Sequence, residues 1–152
     1  MRLERRAFMG GASALALLAL VPMPVAAALR EASGDVAVAI DAILDGRTPL
    51  EEGVTLDAPL VAQNGAQVPL TIAVDSPMSA DDHVTTLHVV ATRNPTPGIG
   101  RFHLTPALGR AEVAMRIRLA EAQQLIVLAE LSDGRVLAAA AQISVTEGGC
   151  AT

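Results

Sequence analysis

Between Ala111 and Leu119 the chain alternates: Ala111, Val113, Met115, Ile117 and Leu119 are apolar, and Glu112, Arg116 and Arg118 stand between them. Side chains on a strand point to opposite faces at successive positions, so this period of two describes a strand with one buried and one wet face. Similar β-rich runs recur about every ten residues. Val84–Thr92, Ile99–Thr105, Gln124–Leu131 and Arg135–Val145 are such runs, separated by Asn94-Pro95-Thr96-Pro97-Gly98 and by the turn Ser132-Asp133-Gly134. Asn64-Gly65 is a strong turn signal between two apolar runs and predicts a hairpin of Val54–Ala62 with Val68–Val74. One helical stretch precedes them. Leu29–Asp45 places Val36, Ile40, Ile43 and Leu44 on one stripe, with Ser33 or Asp35 to cap its start and Gly46 to end it. About seven strands after one helix predict a mostly β protein, an antiparallel sandwich of immunoglobulin type. Helix in Ala111–Leu131 is the rival, since Ala, Glu, Arg, Leu and Gln favour it. The alternation and the turn at Asp133-Gly134 decide for strands.

The first 28 residues read as a targeting segment and stand outside the fold. Arg2, Arg5 and Arg6 form a positive start, and Arg5-Arg6-Ala7-Phe8-Met9 resembles a twin-arginine export signal. An Ala- and Leu-rich stretch runs on to Val25, interrupted by Pro22 and Pro24, and Ala26-Ala27-Ala28 offers small residues for cleavage after Ala28. The stretch is short and proline-broken for a span of ~20 apolar residues, so no membrane anchor is expected after cleavage. Residues 29–146 form the expected domain, and 147–152 a C-terminal arm.

Charge narrows the partners. Without residues 1–28 the chain keeps eight arginines against fifteen carboxylates, a net charge of −7. Nucleic-acid binding needs a basic footprint, so it is not expected. There is no lysine, hence no lysine Schiff base and no phosphate-loop lysine. Phe102 is the one aromatic residue after the leader, so stacking on bases or sugars is not expected either.

Cys150 is the single cysteine of 152 residues and comes directly after Gly148-Gly149. Chain ends are usually exposed, and two glycines widen the range of directions in which the backbone can carry Cys150. Gly148–Thr152 extends about 15 Å at ~3.3–3.6 Å per residue. A lone thiol on such a tether suits a carrier that presents a bound group to other proteins. Alternatives are an incidental surface thiol or an intermolecular disulfide. Only Ala151 and Thr152 lie beyond it, too few for a prenylation box, and the position is wrong for a lipoprotein cysteine. A redox role lacks the Cys-x-x-Cys pair. The thiolate is the nucleophile. Glu147 and the terminal carboxylate lie close in sequence, no arginine or histidine lies within ten residues, and a quiet thiol is expected, with a pKa not below about 7.

Other constellations are weaker. His83 and His88 are five apart in one strand run, so they face opposite ways and cannot share a metal without a bulge; His103 is distant in sequence. Ser76 and Ser79 lie near Asp75, Asp81, Asp82 and His83 with no nucleophile elbow, so the cluster reads as a polar loop. Adjacent carboxylates at Glu51-Glu52 and Asp81-Asp82 read as solvated. Gly98-Ile99-Gly100 lacks the context of a phosphate loop and reads as a turn.

Several stretches together resemble the SoxY family of sulfur carriers: Asn64-Gly65-Ala66-Gln67-Val68-Pro69, Asn94-Pro95-Thr96-Pro97, Arg116-Ile117-Arg118-Leu119-Ala120, Ser132-Asp133-Gly134 and Val145-Thr146-Glu147-Gly148-Gly149-Cys150. The resemblance covers most of the chain after the leader. It implies an immunoglobulin-like fold, a periplasmic location and a tight heterodimer with a SoxZ-type subunit. It further implies that thiosulfate is joined to Cys150 as a cysteine S-thiosulfonate by a c-type cytochrome enzyme. A dimanganese hydrolase then releases sulfate, and a sulfane dehydrogenase can act on the remaining sulfur. Metals and haems belong to those enzymes, so no cofactor is expected in this chain and it is not itself an enzyme. Family members usually end Gly-Gly-Cys-Gly-Gly, whereas Ala151-Thr152 stands here in place of the last two glycines, which bears on how the tip fits partner channels. The competing function is a noncatalytic β-sandwich interaction subunit with an incidental thiol.

Overall fold

A computed structural model describes residues 23–147. Two helices lead, α1 (Val25–Glu31) and α2 (Asp35–Leu44). Eight strands come after them: β1 (Val54–Asp57), β2 (Val61–Asn64), β3 (Val68–Val74), β4 (Val84–Ala91), β5 (Gly98–His103), β6 (Ala111–Ile117), β7 (Gln123–Leu131) and β8 (Val136–Glu147). They form a three-stranded sheet in the order β1-β3-β6 and a five-stranded sheet in the order β2-β8-β7-β4-β5. The expected mostly β sandwich of immunoglobulin type is present, with one more strand than the sequence suggested.

The two sheets face each other across one core. Leu70 and Ile72 of β3 meet Leu87 and Val89 of β4 and Leu125 and Val127 of β7, all fully buried. The larger sheet is also covered on its other side. Val90, Ile126, Leu128, Val136, Ala138 and Ala140 pack under Val25 and Ala28 of α1 and Val36, Ile40 and Leu44 of α2. Nearly all of β7 is therefore buried on both faces. This explains why Leu125–Leu128 is a continuous apolar run while β6 alternates. The Ala138–Ala141 run of β8 has the same origin: small side chains opposite Ile126 and Leu128 leave room for α1.

Three sequence expectations need correction. The single helix Leu29–Asp45 is two helices with a break at Ala32–Gly34. Gly34 takes φ +56°, a conformation that a glycine adopts at little cost. It occupies the cap position of α2 with no side-chain cap, so neither Ser33 nor Asp35 plays that part. At the other end the left-handed turn begins at Asp45 (φ 48°), one residue before Gly46. Second, Val54–Ala62 and Val68–Val74 are not the arms of a hairpin. β1 does pair antiparallel with β3, Val54 opposite Val74. The chain then leaves that sheet at Ala58-Pro59, and Val61–Asn64 joins the other sheet parallel to β8. Proline lacks the amide donor a continuing ladder needs, so the switch falls there. Asn64-Gly65 is still a turn, with the Asn64 side chain accepting from Ala66 N at 2.8 Å, but it returns the chain from one sheet to the other. Third, Gly98-Ile99-Gly100 opens β5 and is not a turn.

The helix layer is fastened through Arg47. Its Nε and Nη2 donate to the carbonyls of Leu44 (2.8 Å) and Ile43 (2.7 Å) at the end of α2. Nη2 also donates to Glu130 Oε2 on β7 at 2.8 Å. The second oxygen of Glu130 lies 2.7 Å from His88 Nε2, and His88 is buried under the helices. Burial pushes the Glu130 carboxyl up, but hydrogen bonds from Arg47 and His88 outweigh it and hold the group below its ordinary value. A depressed folded-state pKa adds stability above the unfolded-state value, and that stability is lost as pH falls through the folded-state value. Glu130→Gln is expected to lower the urea midpoint at pH 7, and the gap from the parent should shrink below pH 4. Leu128→Ala is expected to cost about 2–5 kcal/mol because its site under the helices is closed. Glu112→Ala, on the wet face of β6, should change stability by about 0.5 kcal/mol or less in the same denaturation series.

Candidate functional site

The expected carrier residues Gly148, Gly149 and Cys150 lie outside the described residues. The described chain delivers them through β8, whose last residue is Glu147. This strand is held on both sides. Along most of its length it pairs with β7, and near its end it pairs with β2, with Val61 opposite Ser144, Ala62 opposite Val145 and Asn64 opposite Glu147.

The end of this ladder is reinforced from three segments. Gly65 N donates to Glu147 O at 2.9 Å, and Leu119 N donates to Gly65 O at 2.7 Å. Thr146 Oγ1 is placed to donate to the carbonyls of Ala62 (3.4 Å) and Gln63 (3.0 Å). Leu119 is fully buried and fixes the third segment. Residues 62–65, 119 and 146–147 thus form one hydrogen-bonded knot, and Glu147, the first residue of the expected arm 147–152, belongs to β8 and to this knot.

Sequence distance hid a cation from this region. No arginine lies within ten residues of Cys150, but the fold brings the end of β6 alongside the knot. Arg116 Nη1 donates to Gln67 Oε1 at 3.3 Å, and Gln67 belongs to the turn that holds Glu147. Pairing of Pro69 with Arg116 in the β3–β6 ladder sets this position. The signal available in the sequence was the alternation of β6, which puts Arg116 outward; its neighbourhood is set by the β2–β3 turn and by nothing local.

Beside Arg116 is an open groove of about 500 Å³. Ile99, Met115 and Ile117 supply its apolar surface, and Thr96, Arg116 and Arg118 its polar rim. Asn94 holds the loop on one side against the strand end on the other. Its Nδ2 donates to Arg118 O (2.7 Å), and its Oδ1 accepts from Ala120 N (3.0 Å) and Gln123 Nε2 (2.8 Å).

The histidines are separated. His83 precedes β4 and is not within it; its Nδ1 lies 3.0 Å from Ser79 O. His88 faces Glu130 beneath the helices, and exposed His103 on β5 lies 3.3 Å from Thr86 Oγ1. Among the described residues no group of three or more His, Cys, Asp or Glu is arranged to hold a metal ion. Ser76 and Ser79 serve loop geometry, accepting from Met78 N and Asp82 N. No described helix is long and apolar enough to cross a membrane.

Comparison with known proteins adds the lineage. A comparison with curated proteins finds no match. Among solved structures, the chain is similar to the sulfur carrier protein SoxY from Chlorobium limicola f thiosulfatophilum. That match has a TM-score of 0.59 and 28% identity, over 74% of this chain and 96% of that one. Superoxide reductase (neelaredoxin) from Ignicoccus hospitalis matches with a TM-score of 0.54 and 16% identity, over 62% of this chain and 80% of that one. Superoxide reductase from Nanoarchaeum equitans matches with a TM-score of 0.50 and 11% identity, over 63% and 100%. At such identities the reductases share the fold alone. The family described as sulfur oxidation protein SoxY matches residues 40–150, most of the sequence, and the chain therefore belongs to the SoxY family.

Proposed function

We propose that this protein is a periplasmic sulfur carrier that holds its cargo covalently on Cys150. The observation that carries the reading is the hydrogen-bonded knot at Glu147, which gives a fixed root to the Gly148-Gly149-Cys150 tail. Family membership and the similarity to a SoxY described as a sulfur carrier support it.

In the loading step the Cys150 thiolate and thiosulfate lose two electrons to a c-type cytochrome enzyme. One S–S bond forms and the product is Cys150–S–S–SO3⁻. In the release step water attacks the sulfonate sulfur and the S–SO3 bond breaks. Sulfate and a proton leave, and the persulfide Cys150–S–SH remains for a sulfane dehydrogenase. The hydrolase carries the dimanganese centre, so this chain supplies the thiol and its presentation. A SoxZ-type subunit is the proposed stable partner, and export by the twin-arginine route the proposed path. Met23, Val25 and Ala28 pack against the larger sheet, so a cut after Ala28 removes part of that cover.

Mass spectrometry of protein purified from the periplasm of thiosulfate-grown cells should show thiosulfonate or sulfane adducts at Cys150. A Cys150→Ser strain lacking any second carrier gene should lose thiosulfate oxidation; normal oxidation by that strain sinks the proposal. Thr146→Val should weaken the root, costing about 0.5–1.5 kcal/mol and speeding amide exchange at Val145 and Glu147 before the rest of β8.

A further inference from the structure

We propose that the fold masks its own processing site: the bond between Ala28 and Leu29 is open to a peptidase only when α1 lifts off the larger sheet. The proposal rests on the reading of residues 1–28 as an export leader and adds a control on its removal.

A leader peptidase that selects small residues one and three places before the cut must reach Ala28, Ala26 and the backbone around them in an extended chain. In the folded protein each of these is engaged. The Ala28 side chain is 0% exposed and packs against the larger sheet. The Ala28 carbonyl, the one to be attacked, accepts from Ala32 N at 3.2 Å. Ala26 N donates to Glu51 Oε1 at 2.7 Å. All of this stretch is helical where the peptidase needs it extended.

α1 is fastened on both sides of the bond. Ahead of it, Met23 forms an antiparallel bridge with Ala140 of β8, and buried Val25 packs beside Ala28. Behind it, Glu31 Oε2 accepts from Nε2 of Gln124 at 2.6 Å. Gln124 is buried on β7, and its Oε1 has no partner among the described residues. The bond to Glu31 is thus what satisfies this buried amide, and lifting α1 breaks it.

A helix of seven residues is too short to persist alone in water. Docked, α1 hides the bond; lifted, it unwinds into the form a peptidase binds. The twin-arginine route carries proteins that have already folded, so the leader meets its peptidase in the masked state. Cutting then follows the population of the open form. Hydrolysis adds water across the Ala28–Leu29 amide and leaves a carboxyl on Ala28 and an amine on Leu29. Only Leu29–Glu31 of α1 then remain, less than one helical turn, so the cover is not rebuilt and the step runs one way.

The test uses the folded full chain and a bacterial leader peptidase in detergent, with cuts located by intact mass. A synthetic peptide of residues 15–36 supplies the rate for the open bond. The folded chain should be cut after Ala28 at least about tenfold more slowly than the peptide. Hydrogen-exchange protection of the Ala28 and Ala32 amides should match that factor within about threefold, because both processes need the same opening. Glu51→Ala, an exposed change, should speed cutting of the folded chain about fivefold, the weight of one hydrogen bond. Glu51→Gln, which keeps an acceptor, should stay near the parent. Equal rates for folded chain and peptide, unprotected amides at Ala28 and Ala32, or an unchanged rate in Glu51→Ala each overturn the mask and leave the leader reading standing. A peptide cut elsewhere than after Ala28 removes the cleavage point itself, and the mask with it.

Discussion

Burial of the five-stranded sheet on both faces is the constraint on which the rest of this structure depends. A sandwich needs one apolar face per sheet. Here the larger sheet has a second apolar face, and two helices joined at Gly34 must cover it. Arg47 and Glu130 place the one strong polar link at the margin of that layer, where Arg47 also satisfies the carbonyls left at the end of α2. With both faces filled, β7 and β8 form a rigid floor. β8 can then extend toward the tail without relying on the smaller sheet for support.

Most strands were legible because burial wrote itself into the residue pattern. β6 alternates since one face is wet, and β7 runs apolar since neither is. The turn at Ser132-Asp133-Gly134 was equally plain: Gly134 takes φ +90°, and the Asp133 carboxylate accepts from the backbone and guanidinium of Arg135, contacts that lower its pKa. What stayed hidden was connectivity. Pro59 marks a break, but a break alone does not say which sheet receives Val61–Asn64. The parallel pairing with β8 joins segments some eighty residues apart, and no local signal encodes it. The helix break at Ala32–Gly34 was legible in principle, since Ser33-Gly34 is a weak helical pair, but the apolar stripe of Val36, Ile40 and Leu44 dominated the reading.

The candidate site divides the same way. Cys150 and its glycines stand out in one dimension because a single thiol after Gly148-Gly149 needs no fold to be noticed. Arg116 does not, as it is 34 positions upstream and looks like any outward residue of an alternating strand. It meets the root of the tail through the Asn64–Gln67 turn, whose backbone bonds Glu147 and Leu119 together. Long-range topology, not residue type, makes it a neighbour of the turn that holds Glu147, where the described chain ends.

The parallel pairing of β2 with β8 has a mechanical consequence. Under the proposed carrier function, a partner that grips the chain beyond Glu147 would load β8 at its end. Hydrogen bonds to β2 hold Ser144–Glu147 and those to β7 hold Val136–Ile143, so the two ladders follow one another along the strand and load it in shear. A tug on the tip is spread over two ladders and reaches the double-sided core as a distributed load. Load applied beyond Glu147 would thus be resisted by the body of the fold and not by the last turn of chain alone.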